Sequence, residues 1–134
     1  MDIYLDFDGT VVEHSYPGIG EYNLGATEVI KKLKKAGHTL ILNTARVEFE
    51  NGTFELAIDY LNQIMRETLF SIQNSTKSKI SPCKWDWELF SDRQAIYIDD
   101  ISEGIPLRLN VKLSEGNMVD WEIIDLQFKE NNIY

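Results

Sequence analysis

An open, mostly parallel, doubly wound α/β sheet with helices on both faces is the fold this sequence predicts, and three observations predict it. Short apolar runs recur at Ile3-Tyr4-Leu5, Thr39 to Asn43, Leu69 to Ile72 and Ala95 to Ile98, each of strand length and rich in β-branched or aromatic residues. Segments with helical spacing separate the first three, and strand, helix, strand in so short a span implies right-handed parallel units. Acidic or hydroxyl residues stand where the runs end, at Asp6 and Asp8, Thr44, and Asp99-Asp100. In open sheets of this kind ligands bind outside the carboxyl ends of the strands.

The first strand stops at Asp6-Phe7-Asp8-Gly9-Thr10. The loop from Glu13 to Asn23 follows, with His14, Pro17, Gly18 and Gly20 bending the backbone over the strand end. From Leu24, Ala26, Val29, Ile30, Leu33 and Ala36 recur at helical spacing with lysines between them, and Gly37 supplies the stop. A second helix is predicted from Phe54 through Ala57, Ile58, Leu61 and Met65 to about Thr68, after the Asn51-Gly52 turn. Gln73 to Arg93 is the least regular stretch, with a short helix expected near Trp85 to Phe90. Leu107, Leu109, Val111 and Leu113 alternate with polar residues, which predicts a half-exposed edge strand. Val119 to Phe128 is a closing helix with Asp120 as its cap.

The chain has 134 residues, enough for one domain with a core and too few for two. A single domain over 1–134 is expected. Thirteen Lys and Arg against 22 Asp and Glu give a net charge of −9, which repels phosphate backbones and anionic lipid, so neither nucleic acid nor membrane is an expected partner. The lysines at 31, 32, 34 and 35 read as the solvated side of a helix. One cysteine, Cys83, excludes an internal disulfide and suits a reducing compartment. No apolar run approaches membrane-spanning length, and the first residues run straight into a strand with no room for a signal peptide. A cytoplasmic protein is expected.

Two carboxylates at one strand end repel each other unless a cation lies between them or one keeps a proton. Taken alone, Asp6 to Thr10 reads equally well as an acidic turn, because Asp and Gly favour turns for their own reasons. Its partners weigh against the turn: Thr44, Asp99, Asp100 and a lysine after the third strand all converge on the same crevice in a parallel sheet. Phosphoryl transfer suits that set, since a carboxylate can attack phosphorus while Mg²⁺ and a lysine offset the transferred charge. Hard oxygen ligands without clustered His or Cys favour Mg²⁺ over zinc.

In these residues the chain resembles the phosphatases of the haloacid dehalogenase (HAD) superfamily, a Rossmann-like fold whose first motif is an apolar strand followed by Asp-x-Asp-Gly-Thr. Asp6 to Thr10 match that motif, Leu40 to Thr44 match the second, and Tyr97 to Asp100 match the fourth, in the family's order. The resemblance implies that Asp6 is the nucleophile that becomes an aspartyl-phosphate. It implies that Asp8 is the acid and base, that Gly9 frees the turn, and that Thr44 binds the phosphoryl oxygens. Mg²⁺ would be held by Asp6, the backbone carbonyl of Asp8, and Asp99 or Asp100, with the choice within that pair open. The third motif is a lysine. Lys79 is the choice, twenty positions ahead of Asp99, with Lys77 and Lys84 as alternatives.

No stretch is long enough for the inserted cap domain of many relatives, so the chain resembles a minimal, capless (C0-type) member. Such relatives take large substrates or close their sites by homo-oligomerisation, and the Glu13 to Tyr22 and Val47 to Asn51 loops are the local covers. The expected partner is a phosphorylated small molecule, and sugar phosphates come first for testing. Arg46, two residues past Thr44, is placed to grip a second anionic group of the substrate, a surface salt bridge being the plainer use. His14 is a weaker candidate for substrate contact. Trp85, Trp87 and Trp121 read as core. Two other readings stay open: a phosphoacceptor signalling module, whose acidic pair and acceptor Asp come in a different order, and a binding protein that keeps the fold without the chemistry.

Overall fold

A computed structural model describes residues 1–67, 70, 72–73, 78–86, 95–109 and 117–134. Its centre is a parallel sheet of four strands: β1 (Asp2–Leu5), β2 (Thr39–Leu42), β3 (Ile72–Gln73) and β4 (Ala95–Ile98), in the spatial order β3-β2-β1-β4. The small α/β body is compatible with a Rossmann-like fold. Alternation sorts the side chains. Ile3, Leu5, Leu40, Leu42, Ile96 and Ile98 are all buried, whereas Tyr4 and Tyr97, on the other face, are half-buried and stack with ring centroids 4.6 Å apart.

Register is what makes a site. Leu5 stands opposite both Leu42 and Ile98, so the residues that follow, Asp6, Asn43 and Asp99, emerge together at one edge. Two further backbone bonds hold them level, Asp6 N to Ile98 O at 3.0 Å and Asn43 N to Leu5 O at 2.7 Å.

Three helices complete the described body: α1 (Ala26–Lys35), α2 (Thr53–Met65) and α3 (Trp121–Glu130). Each buries the apolar stripe its sequence provides, with Ala26, Val29, Ile30 and Leu33 inside on α1 and Trp121, Ile124 and Phe128 on α3. Asp120 caps α3 by accepting from Ile123 N at 3.3 Å. The expected second helix stops at Met65, where Arg66 turns into the left-handed region (φ 57°); Thr68 lies outside the described residues. No helix among the described residues is long and apolar enough to cross a membrane.

Elsewhere the expectations need adjustment. The third strand is Ile72–Gln73, later and shorter than Leu69 to Ile72. Trp85 and Asp86 are not helical, and the rest of that expected helix, Trp87 included, lies outside the described residues. The expected edge strand does not extend the main sheet. Leu107–Leu109 (β5) pairs antiparallel with Asn117–Val119 (β6) in a separate two-stranded sheet, and Val111 and Leu113 lie outside the described residues. A period of two reveals a strand but not its partner.

Candidate active site

The loop after β1 is fixed by its backbone. Gly9 N donates to Val12 O at 2.8 Å and Gly9 O accepts from Val119 N at 3.0 Å, while Thr10 O accepts from Asn23 Nδ2 and Trp121 Nε1, both at 2.8 Å. Gly9 is left-handed (φ 79°), and a Cβ there would stand 2.6 Å from Asp100 Oδ2 and run into the His14 ring. Only glycine lets these groups close over the turn.

Three carboxylates, Asp6, Asp99 and Asp100, gather here with one oxygen from each lying within 4.8 Å of the others. Asp6 is buried; its Oδ2 accepts from Thr10 Oγ1 at 3.0 Å and its Oδ1 from Lys79 Nζ at 3.2 Å. Burial first, and then the neighbouring Asp99 and Asp100 carboxylates, hold the Asp6 carboxyl well above its ordinary range, with Lys79 working the other way. Asp100 is pushed up to about 6, again chiefly by burial, with Asp99 acting the same way and Asp6 and Lys79 pulling it down. For Lys79, burial opposes the charge, but Asp6 and Asp99 outweigh it, so the ammonium is held more firmly than usual.

Lys79 Nζ also stands 2.8 Å from Asp99 Oδ2. The distance suits an ion pair, and among the described residues this buried oxygen accepts no hydrogen bond of regular geometry. Among the described residues one ammonium, that of Lys79, stands among three close carboxylates, with the His14 ring on Asp100. The surplus negative charge, the all-oxygen donor set and the under-coordinated Asp99 oxygen fit a hard divalent cation such as Mg²⁺. Asp99 Oδ1 accepts from Ile101 N at 3.1 Å, which fixes the carboxylate plane.

Residues not singled out in the sequence hold Lys79 there. Asn43 pairs reciprocally with Ile80, Nδ2 to Ile80 O at 2.8 Å and Ile80 N to Oδ1 at 2.9 Å. Glu48 Oε1 accepts from Lys79 N at 3.0 Å. The signal for Asn43 was its place, a polar residue ending an apolar strand; its partner 37 residues away could not be read. Thr10 belongs to the first motif but had been given no role.

The remaining expected residues fall differently. Asp8 adds no carboxylate oxygen to the cluster of three: Arg46 Nε and Nη2 grip its two oxygens, both at 2.8 Å. Arg46 is 1% exposed and therefore is neither a surface salt bridge nor, in this conformation, open to a substrate. Thr44 is buried and caps the turn Ala45–Glu48, its Oγ1 accepting from Arg46 N at 3.3 Å. His14 Nε2 meets Asp100 Oδ2 at 2.9 Å. Lys84 is exposed, and Lys77 lies outside the described residues. A cavity of about 400 Å³ is lined by Arg46 with Val47, Glu50, Asn51, Gly52, Phe54 and Glu55, but none of the three carboxylates borders it, so the chemistry and not the volume locates the site.

A carboxylate at a strand end, a lysine between two acids and an all-oxygen donor set are the group types that phosphoryl chemistry uses. No family model and no curated protein matches the chain. Among solved structures it is similar to a conserved protein from Bacteroides thetaiotaomicron, with 31% identity over 97% of this chain and 90% of that one and a TM-score of 0.60. The chain belongs to one family with that protein.

Proposed function

We propose that this protein is a Mg²⁺-dependent phosphatase of the HAD type, a single capless domain that hydrolyses a phosphomonoester through an aspartyl-phosphate on Asp6. The doubly wound arrangement with helices on both faces goes with that reading. The observation that carries it is the buried cluster of Asp6, Asp99 and Asp100 with Lys79 among them, at the carboxyl ends of the adjacent strands β1 and β4.

Asp6, Asp99 and Asp100 are the side chains that would hold Mg²⁺, with Asp8 adding its backbone carbonyl. When bound, the ion would offset negative charge on the phosphoryl oxygens and favour the ionised form of the Asp6 carboxyl. Lys79 orients the transferred group by charge. An Asp6 oxygen forms the new bond to phosphorus as the ester bond breaks, and Asp8, otherwise the carboxylate partner of Arg46, passes a proton from solvent to the departing oxygen. Asp8 then takes a proton from water as that water attacks the phosphoryl-Asp6 and returns it to solvent, so phosphate leaves and both carboxyls are restored.

The test is release of phosphate by purified protein with Mg²⁺ from an aryl phosphate and from a panel of sugar phosphates and nucleotides. Asp6→Asn is expected to reduce release to background while circular dichroism stays that of the wild type. Full activity in the variant would sink the mechanism, and a long-lived phosphoprotein without turnover would favour the signalling module instead.

A further inference from the structure

We propose that Arg46 is the positioning residue for Asp8, a role that rests on the phosphatase reading and replaces the substrate-gripping role its sequence position suggests. Burying a guanidinium is costly unless its charge is paired and every donor is satisfied, and Arg46 meets both conditions. Nε donates to Asp8 Oδ2, and Nη2 to Asp8 Oδ1 and to Gly18 O at 2.6 Å. Nη1 donates to Pro17 O at 3.4 Å and Thr53 O at 3.2 Å. The five N–H groups of an arginine are thereby spent on protein, leaving none for a phosphate or a second anion.

What those bonds join is as informative as their number. They tie the loop after β1, the loop over the strand end, the start of α2 and Arg46's own turn after β2. Two rings fix the guanidinium further, Phe7 at 5.0 Å and Tyr16 at 5.3 Å from its central carbon. Tyr16 is itself held, its ring 5.2 Å from that of Phe49 and its hydroxyl accepting from Asn51 Nδ2 at 2.8 Å, so the Pro17 and Gly18 carbonyls have a fixed frame. A planar fork on both oxygens sets the direction and the plane of the Asp8 carboxylate, which a lysine's single point of charge cannot do. Proton transfer demands that alignment, because small misplacements of an acid or base cost large factors in rate.

The experiment is a double-mutant cycle on phosphate release from an aryl phosphate with Mg²⁺, using wild type, Arg46→Lys, Asp8→Asn and the double variant. If Arg46 acts through Asp8, Arg46→Lys lowers kcat by about 10²-fold, the lower range for a lost acid–base contribution, with KM unchanged. In the Asp8→Asn background the same substitution then costs nothing more. A rise in KM at unchanged kcat, or losses that multiply in the double variant, would overturn the role while leaving the phosphatase intact. Absence of Mg²⁺-dependent release from the wild type would overturn the phosphatase reading, and this role with it. Should the Arg46 variants fail to fold, wild-type protein labelled for NMR decides: the Arg46 Nε–H is expected to stay protected from solvent exchange when inorganic phosphate and Mg²⁺ are added. Loss of that protection on addition would mean that the fork opens to the ligand, and would overturn the proposal.

Discussion

Gly9 shows how little space separates the groups of this site. With φ at 79° and Asp100 Oδ2 2.6 Å from where a Cβ would stand, Gly9→Ala adds backbone strain to a collision with two side chains that hydrogen-bond each other. The variant is expected to lose about 1–3 kcal/mol of stability in urea unfolding and to bind Mg²⁺ more weakly, because His14 and Asp100 must move apart. A variant as stable as the wild type would show that the turn relaxes freely. This glycine was legible beforehand, since Asp-x-Asp-Gly-Thr after an apolar strand demands a residue that turns sharply. Arg46 was not. A lone arginine after a strand reads as solvent-facing because arginines seldom go fully inside unless paired, and its pairing with Asp8 spans 38 positions.

Strand β2 contributes less through its own chemistry than through what it holds at its end. Asn43 is buried and exchanges two hydrogen bonds with Ile80, next to Lys79. Asn43→Ala removes both and leaves two backbone groups short of partners, a cost of about 2–3 kcal/mol. Freed from that clamp, Lys79 has more conformations to lose on meeting an anion, so affinity for inorganic phosphate with Mg²⁺ is expected to fall about tenfold. Calorimetric titration checks it; unchanged affinity would mean that Glu48 alone suffices. The strands that carry the site were the legible part of the fold, because β1, β2 and β4 are unbroken apolar runs with polar ends. The β5–β6 pair was not, since three-residue strands hold too few alternations to name a partner. Yet that pair matters to the site: Val119 N reaches Gly9 O and Val119 O accepts from Asn23, so the small sheet clamps the loop after β1.

Across the molecule, crowded carboxylates set stability against function. The folded Asp100 carboxyl titrates near 6 against 3.8 for the free side chain, so between those values the folded state holds the proton that the unfolded chain gives up. Stability linked to such a group is greatest below about pH 4 and falls as pH rises through about 6, by a total on the order of 3 kcal/mol. Asp6, raised by burial and by Asp99, acts in the same direction. The Asp125 carboxyl, lowered to about 2 even though burial opposes it by Tyr134, Lys32 and Lys129, has delivered its stability before this window opens and does not offset the fall. The general repulsion of a −9 chain also grows with pH, so the wild-type slope alone is not diagnostic. Asp100→Asn separates the two, because it removes the carboxyl and leaves the rest of the surface as it was. Thermal melts in a chelator from about pH 4 to pH 8 are expected to show a falling Tm for wild type and a flatter profile for Asp100→Asn. Adding Mg²⁺ is expected to raise the wild-type Tm strongly at the alkaline end and little at the acid end, where protons occupy the same oxygens. Parallel profiles for the two proteins, or a Mg²⁺ effect independent of pH, would mean that the three carboxylates are not the groups that repel each other and take up the ion.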